Sequence, residues 1–115
     1  MILLFTYGTL QDPAIQRAVI GRLIRGEPDL LRGYGITQVR LTNGAYPMLV
    51  EQAGGQVQGL VIAVTEAELA RIDIYETAAY TRVEVTLASG RRAWVYRQAQ
   101  ASGVDDMLHQ KTQDG

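Results

Sequence analysis

Alternating and unbroken apolar runs predict a chain made mostly of β-strands. Residues 2–5 form an unbroken apolar run, which is typical of a buried strand. Residues 80–87 alternate, with Val83, Val85 and Leu87 on one face and polar residues on the other. Ser89-Gly90 then predicts a turn into a second alternating strand over residues 93–96. The last two strands are therefore expected to form a hairpin.

The middle of the chain predicts three more extended segments separated by turns. Glycines at 33 and 35 interrupt the first of them and predict a bulge or bend near Tyr34. Thr42-Asn43-Gly44 predicts a turn, and Gly54-Gly55 predicts a loop. The extended segments themselves are 30–41, 46–50 and 57–64, of which the last reads as a central and largely buried strand.

Two short helices are predicted from their capping residues. Asp12 is a suitable N-cap and Pro13 suits the first helical position, so residues 14–20 are expected to be helical. Thr65 with Glu68 three residues later makes a capping box for a second helix. Strands that outnumber two helices predict an α+β domain built on a curled, mainly antiparallel sheet, and closing that sheet into a small β-barrel would remove its exposed edges.

Composition limits both the organisation and the partners of the protein. A length of 115 residues suits one domain, which we assign to residues 1–98, followed by a polar tail over residues 99–115. Eleven basic and twelve acidic residues are dispersed, which argues against nucleic acid and membrane surfaces as partners. The N-terminal apolar run is too short for a membrane span or a signal peptide, so we expect a cytoplasmic protein.

The absence of cysteine and the presence of a single histidine, His109, restrict the available chemistry. These counts exclude thiolate nucleophiles, zinc–thiolate sites and sites built from several histidines. No metal site built from cysteine or from several histidines is therefore expected. Any reaction must use oxygen-bearing side chains and backbone groups.

The segment Tyr7-Gly8-Thr9-Leu10 ends the first strand abruptly. Gly8 would let the chain turn sharply, so that the N–H groups of Gly8, Thr9 and Leu10 point into one concavity that suits a carboxylate. A positive φ or a close backbone approach is expected at the glycine. The alternative is that Gly8 only makes a tight turn and that Thr9 only bonds its own loop.

Glu76 lies near the end of the second helix, where the helix dipole disfavours a negative charge. One alternative is a solvated surface acid or an ion-pair partner for Arg82 or Arg71. Asp73 lies three residues earlier on a similar helix face, where it is expected to cap or bond the backbone. The other alternative is that Glu76 has a functional role.

An ordered set of short motifs gives the chain a resemblance over about residues 1–98. The motifs are Tyr7-Gly8-Thr9-Leu10, Gly33-Tyr34, Tyr46-Pro47, Val57-Gln58-Gly59, residues 69–76 (Leu-Ala-Arg-Ile-Asp-Ile-Tyr-Glu) and Tyr80-Thr81-Arg82. In order and spacing they resemble the gamma-glutamylcyclotransferase family, including its AIG2-like and gamma-glutamylamine branches. The resemblance implies a mixed barrel of about six strands with a cavity at one end.

The resemblance also implies an activity and a set of site residues. Glu76 would be the catalytic residue, and the reaction would release 5-oxoproline from a gamma-glutamyl amide without a cofactor. The residues expected to contact substrate are Tyr7, Gly8, Thr9, Leu10, Tyr46, Pro47, Tyr80 and Tyr96. For each tyrosine, core packing is the alternative, and the Tyr46-Pro47 bond is either cis or trans.

The short stretch between Glu76 and Tyr80 leaves the leaving group open among amino acids, glutathione-like peptides and lysine-type amides. Two other classes of function also stay open. One is a binding module that holds a small anionic metabolite without turnover, and the other is a structural or oligomeric barrel in which Glu76 is exposed or ion-paired.

Overall fold

A computed structural model describes the chain over residues 1–41, 44–77 and 80–98. The expected turn at 42–43, the polar tail and His109 lie outside these residues. The described part contains five strands, two α-helices and one short 3-10 helix (Thr9–Gln11): β1 (Ile2–Thr6), α1 (Pro13–Val19), β2 (Glu27–Leu41), β3 (Gly44–Val64), α2 (Glu66–Glu76), β4 (Tyr80–Thr86) and β5 (Arg92–Gln98).

The strands form one curled sheet in the order β2-β3-β1-β5-β4. β1 and β5 are parallel, and the other neighbouring pairs are antiparallel. The expected α+β class and mixed, mainly antiparallel sheet are therefore confirmed. The sheet is a half-barrel of five strands in the described part of the chain, where the resemblance implied about six.

The two edges of the sheet meet at one end of the half-barrel. The Ala88 N–H donates to the Leu30 carbonyl at 2.8 Å. Beside this bond, the buried Asp29 carboxylate accepts from the Ser89 hydroxyl at 2.6 Å and from Arg91 Nη2 at 3.0 Å. This cluster joins β2 to the β4–β5 turn and lowers the pKa of Asp29 through its hydrogen bonds, against the opposing effect of desolvation.

The irregularity expected near Tyr34 is confirmed, whereas the loop expected at Gly54-Gly55 is wrong. The pairing register shifts between Arg32 and Tyr34, and Gly33 has a φ of +86°. β3 continues through residues 52–55, which lie opposite Gly33 as an extended bulge with Gly54 at φ +79°. The glycines had suggested two strands, but β3 pairs with β2 on both sides of the bulge and is therefore one continuous strand.

Both helix starts are confirmed by their capping geometry. The Asp12 carboxylate accepts from the Ala14 N–H at 2.8 Å, and α1 begins at Pro13. Thr65 and Glu68 form the expected reciprocal capping box at the start of α2. The Arg22 guanidinium also binds Glu68 and, with the capping bonds, lowers the pKa of its carboxyl to about 2.

The core lies on both faces of the sheet. Leu4, Ile62 and Val64 pack on one face with Leu69 and Ile72 of α2. Because side chains alternate along a strand, the other face receives a separate cluster around Phe5, Val61 and Val95. Tyr96 belongs to the helix-side cluster, so this packing brings the end of β5 next to the end of α2. None of the described helices has the length and apolar character needed to cross a membrane.

Candidate active site

The loop after β1 is set by close packing between strands. A Cβ at Gly59 on β3 would lie 2.5 Å from the Thr6 carbonyl oxygen, so only glycine fits beside the end of β1. The chain then turns at Gly8 into the short 3-10 helix. The expected positive φ at Gly8 is wrong, because its φ is −127°, and an added Cβ would meet Pro47 Cγ at an ordinary 4.0 Å.

The backbone N–H groups of Gly8, Thr9 and Leu10 have no hydrogen-bond acceptor within the described ranges 1–41, 44–77 and 80–98. Leu10 contributes only its backbone here, since its side chain is buried in the core. Thr9 is exposed, and its hydroxyl bonds the Tyr75 hydroxyl at 2.6 Å. The alternative in which Thr9 bonds only its own loop is therefore wrong, because Tyr75 links this loop to α2.

Glu76 is the last residue of α2 and is half-buried. Its carboxylate makes no hydrogen bond and no ion pair with any residue that the structure describes. Burial raises the pKa of Glu76 to about 7, and the neighbouring charge of Asp73 contributes in the same direction. At neutral pH this carboxyl group is therefore close to half ionised.

Arg82 and Arg71, the two expected ion-pair partners of Glu76, have other partners. Arg82 donates to both oxygens of Asp73, with Nε–Oδ1 at 2.7 Å and Nη2–Oδ2 at 2.9 Å. Arg71 donates to the Ile20 carbonyl at 2.7 Å. The ion-pair alternative for Glu76 is therefore wrong within the described residues.

The expectation that Asp73 caps or bonds backbone with its side chain is also wrong. Besides Arg82, its carboxylate accepts a short hydrogen bond from the Tyr96 hydroxyl. The hydrogen bonds from Arg82 lower the pKa of Asp73, and desolvation opposes them. Asp73 is thus a paired anion, in contrast to Glu76 one helical turn away.

Tyr7 and Tyr96 lie near Glu76, and Tyr80 lies near Tyr7. Burial raises the pKa of Tyr7, and the charges of Tyr80 and Glu76 add to this effect. Burial and Asp73 raise the pKa of Tyr96, again with a contribution from Glu76. The Tyr7 hydroxyl donates to the Tyr96 carbonyl at 2.7 Å, which links the loop after β1 to β5.

The β2–β3 hairpin approaches the same place through Pro47. The Tyr80 hydroxyl donates to the Pro47 carbonyl at 3.1 Å, and Pro47 is also the neighbour of Gly8. None of the peptide bonds in the described part of the chain is cis, so the trans alternative holds for Tyr46-Pro47. The Tyr46 side chain lies outside what the structure describes.

A cavity of about 430 Å³ adjoins this cluster. It shares Tyr80 and Tyr96 with this cluster, but neither Glu76 nor residues 7–10 line it. Its described lining residues are Asp73, Thr77, Tyr80, Thr81, Arg82 and Tyr96. The size is within the range of small-molecule pockets, and polar side chains predominate.

Thr77, directly after Glu76, has a backbone conformation that sequence inspection did not suggest. Its φ of 64° and ψ of −178° lie in a region that is almost exclusive to glycine. A β-branched residue there carries strain on the order of 1–3 kcal/mol. The Thr77 N–H nevertheless closes α2 by donating to the Asp73 carbonyl at 3.1 Å, so the helix ends where Glu76 faces the tyrosines.

Within residues 1–41, 44–77 and 80–98, no three histidine, aspartate or glutamate side chains form a group suited to a metal ion. The site as described consists of one unpaired carboxyl group, one paired carboxylate, one arginine and several tyrosine and threonine hydroxyls. This set can move a proton and donate hydrogen bonds.

Comparison with known proteins gives consistent matches in sequence. The family described as gamma-glutamyl cyclotransferase, AIG2-like, matches residues 4–114. Protein AIG2 C of Arabidopsis thaliana is 35% identical over 82 residues, which cover 70% of this chain and 48% of that protein. AIG2-like protein C of the same plant is 33% identical over 87 residues, with 73% and 49% covered. The chain spans about half the length of these curated relatives.

Solved structures share the fold. A solution structure of an Arabidopsis thaliana protein superposes with a TM-score of 0.71 at 25% identity, covering 96% of this chain and 84% of that one. A gamma-glutamyl cyclotransferase superposes with a TM-score of 0.71 at 15% identity, covering 85% and 66%. At 15% identity the second likeness concerns the fold alone.

Proposed function

Since the chain belongs to the AIG2-like gamma-glutamyl cyclotransferase family, we propose that it releases 5-oxoproline from a gamma-glutamyl amide. The substrate's own α-amine attacks its γ-carbonyl carbon and forms the new C–N bond of a five-membered ring. The original amide C–N bond breaks, and the amine or amino acid that it held departs. The reaction needs no external nucleophile and, on this proposal, no cofactor.

Glu76 serves as the proton shuttle in this mechanism. The ionised carboxylate removes a proton from the substrate's ammonium group, and the resulting carboxylic acid returns that proton to the departing nitrogen. The second proton that the attacking nitrogen loses on forming the ring amide passes to the released amine or to solvent. The observation that carries the proposal is the half-buried, unpaired Glu76 whose pKa is about 7. A group with this pKa is present in both protonation states at neutral pH, as a shuttle requires.

The loop formed by residues 7–10 would bind the α-carboxylate of the glutamyl group. This assignment is supported by the three backbone N–H groups of the loop, which donate to no acceptor among the described residues. Tyr7, Tyr80 and Tyr96 would border the reacting atoms, since Glu76 affects the pKa of Tyr7 and Tyr96 directly. Holding the glutamyl chain folded over Glu76 would contribute on the order of several kcal/mol through orientation.

Incubation with gamma-glutamyl amino acids, gamma-glutamyl peptides and gamma-glutamyl side-chain amides tests this function through the appearance of 5-oxoproline. The proposal expects release from at least one class, and a strong loss of release in Glu76→Gln. Glu51→Gln is the matched control, because Glu51 is an exposed glutamate on β3 away from the cluster. Binding of substrate without any 5-oxoproline would favour the binding module instead.

A further inference from the structure

We propose that Arg82 binds a carboxylate on the leaving group and so determines specificity for gamma-glutamyl amino acids over gamma-glutamyl derivatives of simple amines. The inference rests on the proposed function, because it assigns the part of the substrate that departs. Arg82 keeps N–H hydrogen-bond donors that are not used in binding Asp73.

Arg82 uses one edge of its guanidinium group for Asp73. Nε and Nη2 donate to the two carboxylate oxygens at 2.7 and 2.9 Å. A guanidinium carries five N–H donors, so three of them remain on Nη1 and Nη2. Within residues 1–41, 44–77 and 80–98, the atom-defined hydrogen bonds of the guanidinium are those two to Asp73, and Tyr96 also interacts with it and contributes to raising the pKa of Arg82 after Asp73. The Nη1–Nη2 edge therefore has the fork geometry that matches a second carboxylate.

The position of Arg82 is fixed before any ligand arrives. Its guanidinium carbon lies 5.2 Å from the centre of the Trp94 ring, and Asp73 is in turn held by the Tyr96 hydroxyl. The Arg82 side chain is 28% exposed, so solvent still reaches part of it. Because Asp73 and Trp94 already restrict the guanidinium, a carboxylate that binds it has little side-chain entropy to remove.

On the proposed function, the leaving group of a substrate at Glu76 would extend into the adjoining cavity, which Arg82 lines and Glu76 does not. Arg82 and Asp73 both line the cavity, and Asp73 is one helical turn from Glu76 on the same side of α2. In an amino-acid leaving group, the carboxylate carbon is two bonds from the nitrogen that receives the proton. If the leaving group enters this cavity, a nitrogen held at Glu76 would bring that carboxylate towards the Asp73–Arg82 pair.

The charge balance predicts a moderate preference. Asp73 neutralises Arg82 formally, so a second carboxylate gains mainly from directional hydrogen bonds and less from net charge. A cationic leaving group would instead be attracted by Asp73 and by ionised Glu76. The remaining donor edge on Arg82 favours an anionic leaving group. A preference for a cationic leaving group would show that the charges of Asp73 and Glu76 outweigh these donors.

The experiment compares kcat/KM for gamma-glutamyl-L-alanine and gamma-glutamyl-ethylamide, which differ only by the carboxylate of the leaving group. We expect the wild-type protein to favour the alanine substrate by about tenfold or more. Arg82→Gln should bring the ratio close to one, and Arg82→Lys should retain only part of the preference. Asp73→Asn removes the ion pair but keeps Arg82, so it should retain the preference even where both rates fall.

A purely structural role for the ion pair predicts that the Arg82 and Asp73 variants lower both rates equally, with an unchanged ratio. That result would overturn the inference, as would a wild-type ratio near one or a preference for the gamma-glutamyl amide of a diamine. Release of 5-oxoproline from both substrates at equal rates would leave the proposed function intact. If neither substrate is turned over, the affinities of Glu76→Gln for the two compounds decide: about tenfold tighter binding of the alanine compound supports Arg82, and equal binding contradicts it.

Discussion

Replacing Glu76 by Gln should stabilise the protein at alkaline pH and not at acidic pH. Burial and Asp73 raise the pKa of Glu76 from 4.5 to about 7. Between these values the folded state binds more protons at this site than the unfolded state does, so the wild-type free energy of unfolding falls as pH rises. Gln cannot titrate, and the variant therefore lacks this loss.

The magnitude follows from the linkage between pKa and stability. One pKa unit corresponds to about 1.4 kcal/mol, so the full shift gives an upper bound of about 3 kcal/mol. Solvent reaches part of Glu76 and screens the effect, so we expect about 1–3 kcal/mol between pH 4 and pH 8. Differences between the Glu and Gln side chains that do not depend on pH cancel in this comparison.

Urea unfolding at pH 4 and pH 8 measures the effect, with fluorescence of the single Trp94 as the probe. The variant's gain in unfolding free energy should be near its minimum at pH 4 and should level off above pH 7. Glu51→Gln, at an exposed position, should show a difference from wild type that stays within about 0.5 kcal/mol at both pH values. An equal gain for Glu76→Gln at both pH values would refute the reasoning, because it would mean that Glu76 is not desolvated in the folded state.

Three further predictions concern the backbone at Thr77, the loop after β1 and the need for a metal ion. Thr77→Gly should be more stable than Thr77→Ala by about 1 kcal/mol or more in thermal or urea unfolding, since both remove the hydroxyl and γ-methyl groups and only glycine lacks the Cβ that strains this backbone conformation. Equal stabilities would show that the strain is absent. Gly8→Ala should fold normally, since an added Cβ would meet only Pro47 Cγ at 4.0 Å, yet it should bind substrate or 5-oxoproline more weakly than Thr9→Ala by calorimetry, because it alters the backbone segment that carries the unpaired N–H groups; equal affinities would remove the loop from the carboxylate site. Treatment with a chelator should leave both the melting temperature and 5-oxoproline release unchanged, and a loss that added metal restores would show that the expectation of a cofactor-free reaction is wrong.

The sequence predicted local structure well where a short pattern determines it. The Asp12 cap, the Thr65–Glu68 capping box and the Ser89-Gly90 hairpin each depend on a few neighbouring residues. The loop predicted at Gly54-Gly55 was wrong because turn propensity is a local property, whereas the continuity of a strand is decided by its pairing with a partner distant in sequence. β2 pairs with β3 on both sides of the bulge and so overrides the glycines.

The site was less accessible from the sequence than the strands were. The resemblance indicated Glu76, and burial among the tyrosines gives that assignment a physical basis. The Asp73–Arg82 pair and its contact with Tyr96 were missed, because they depend on how α2 is rotated against β4 and β5. The sequence had suggested Arg82 as a partner for Glu76, and only tertiary packing decides between two carboxylates one helical turn apart.

The most direct test of the central proposal is the rate of 5-oxoproline release by Glu76→Gln, measured on the same preparation whose substrate affinity has been determined. If Glu76 is the proton shuttle, turnover should fall by about two to four orders of magnitude while affinity stays near that of the wild type, because Gln keeps the shape but cannot accept and return a proton. A variant that binds substrate and turns it over at the wild-type rate would contradict the proposal and exclude Glu76 as the acid–base residue.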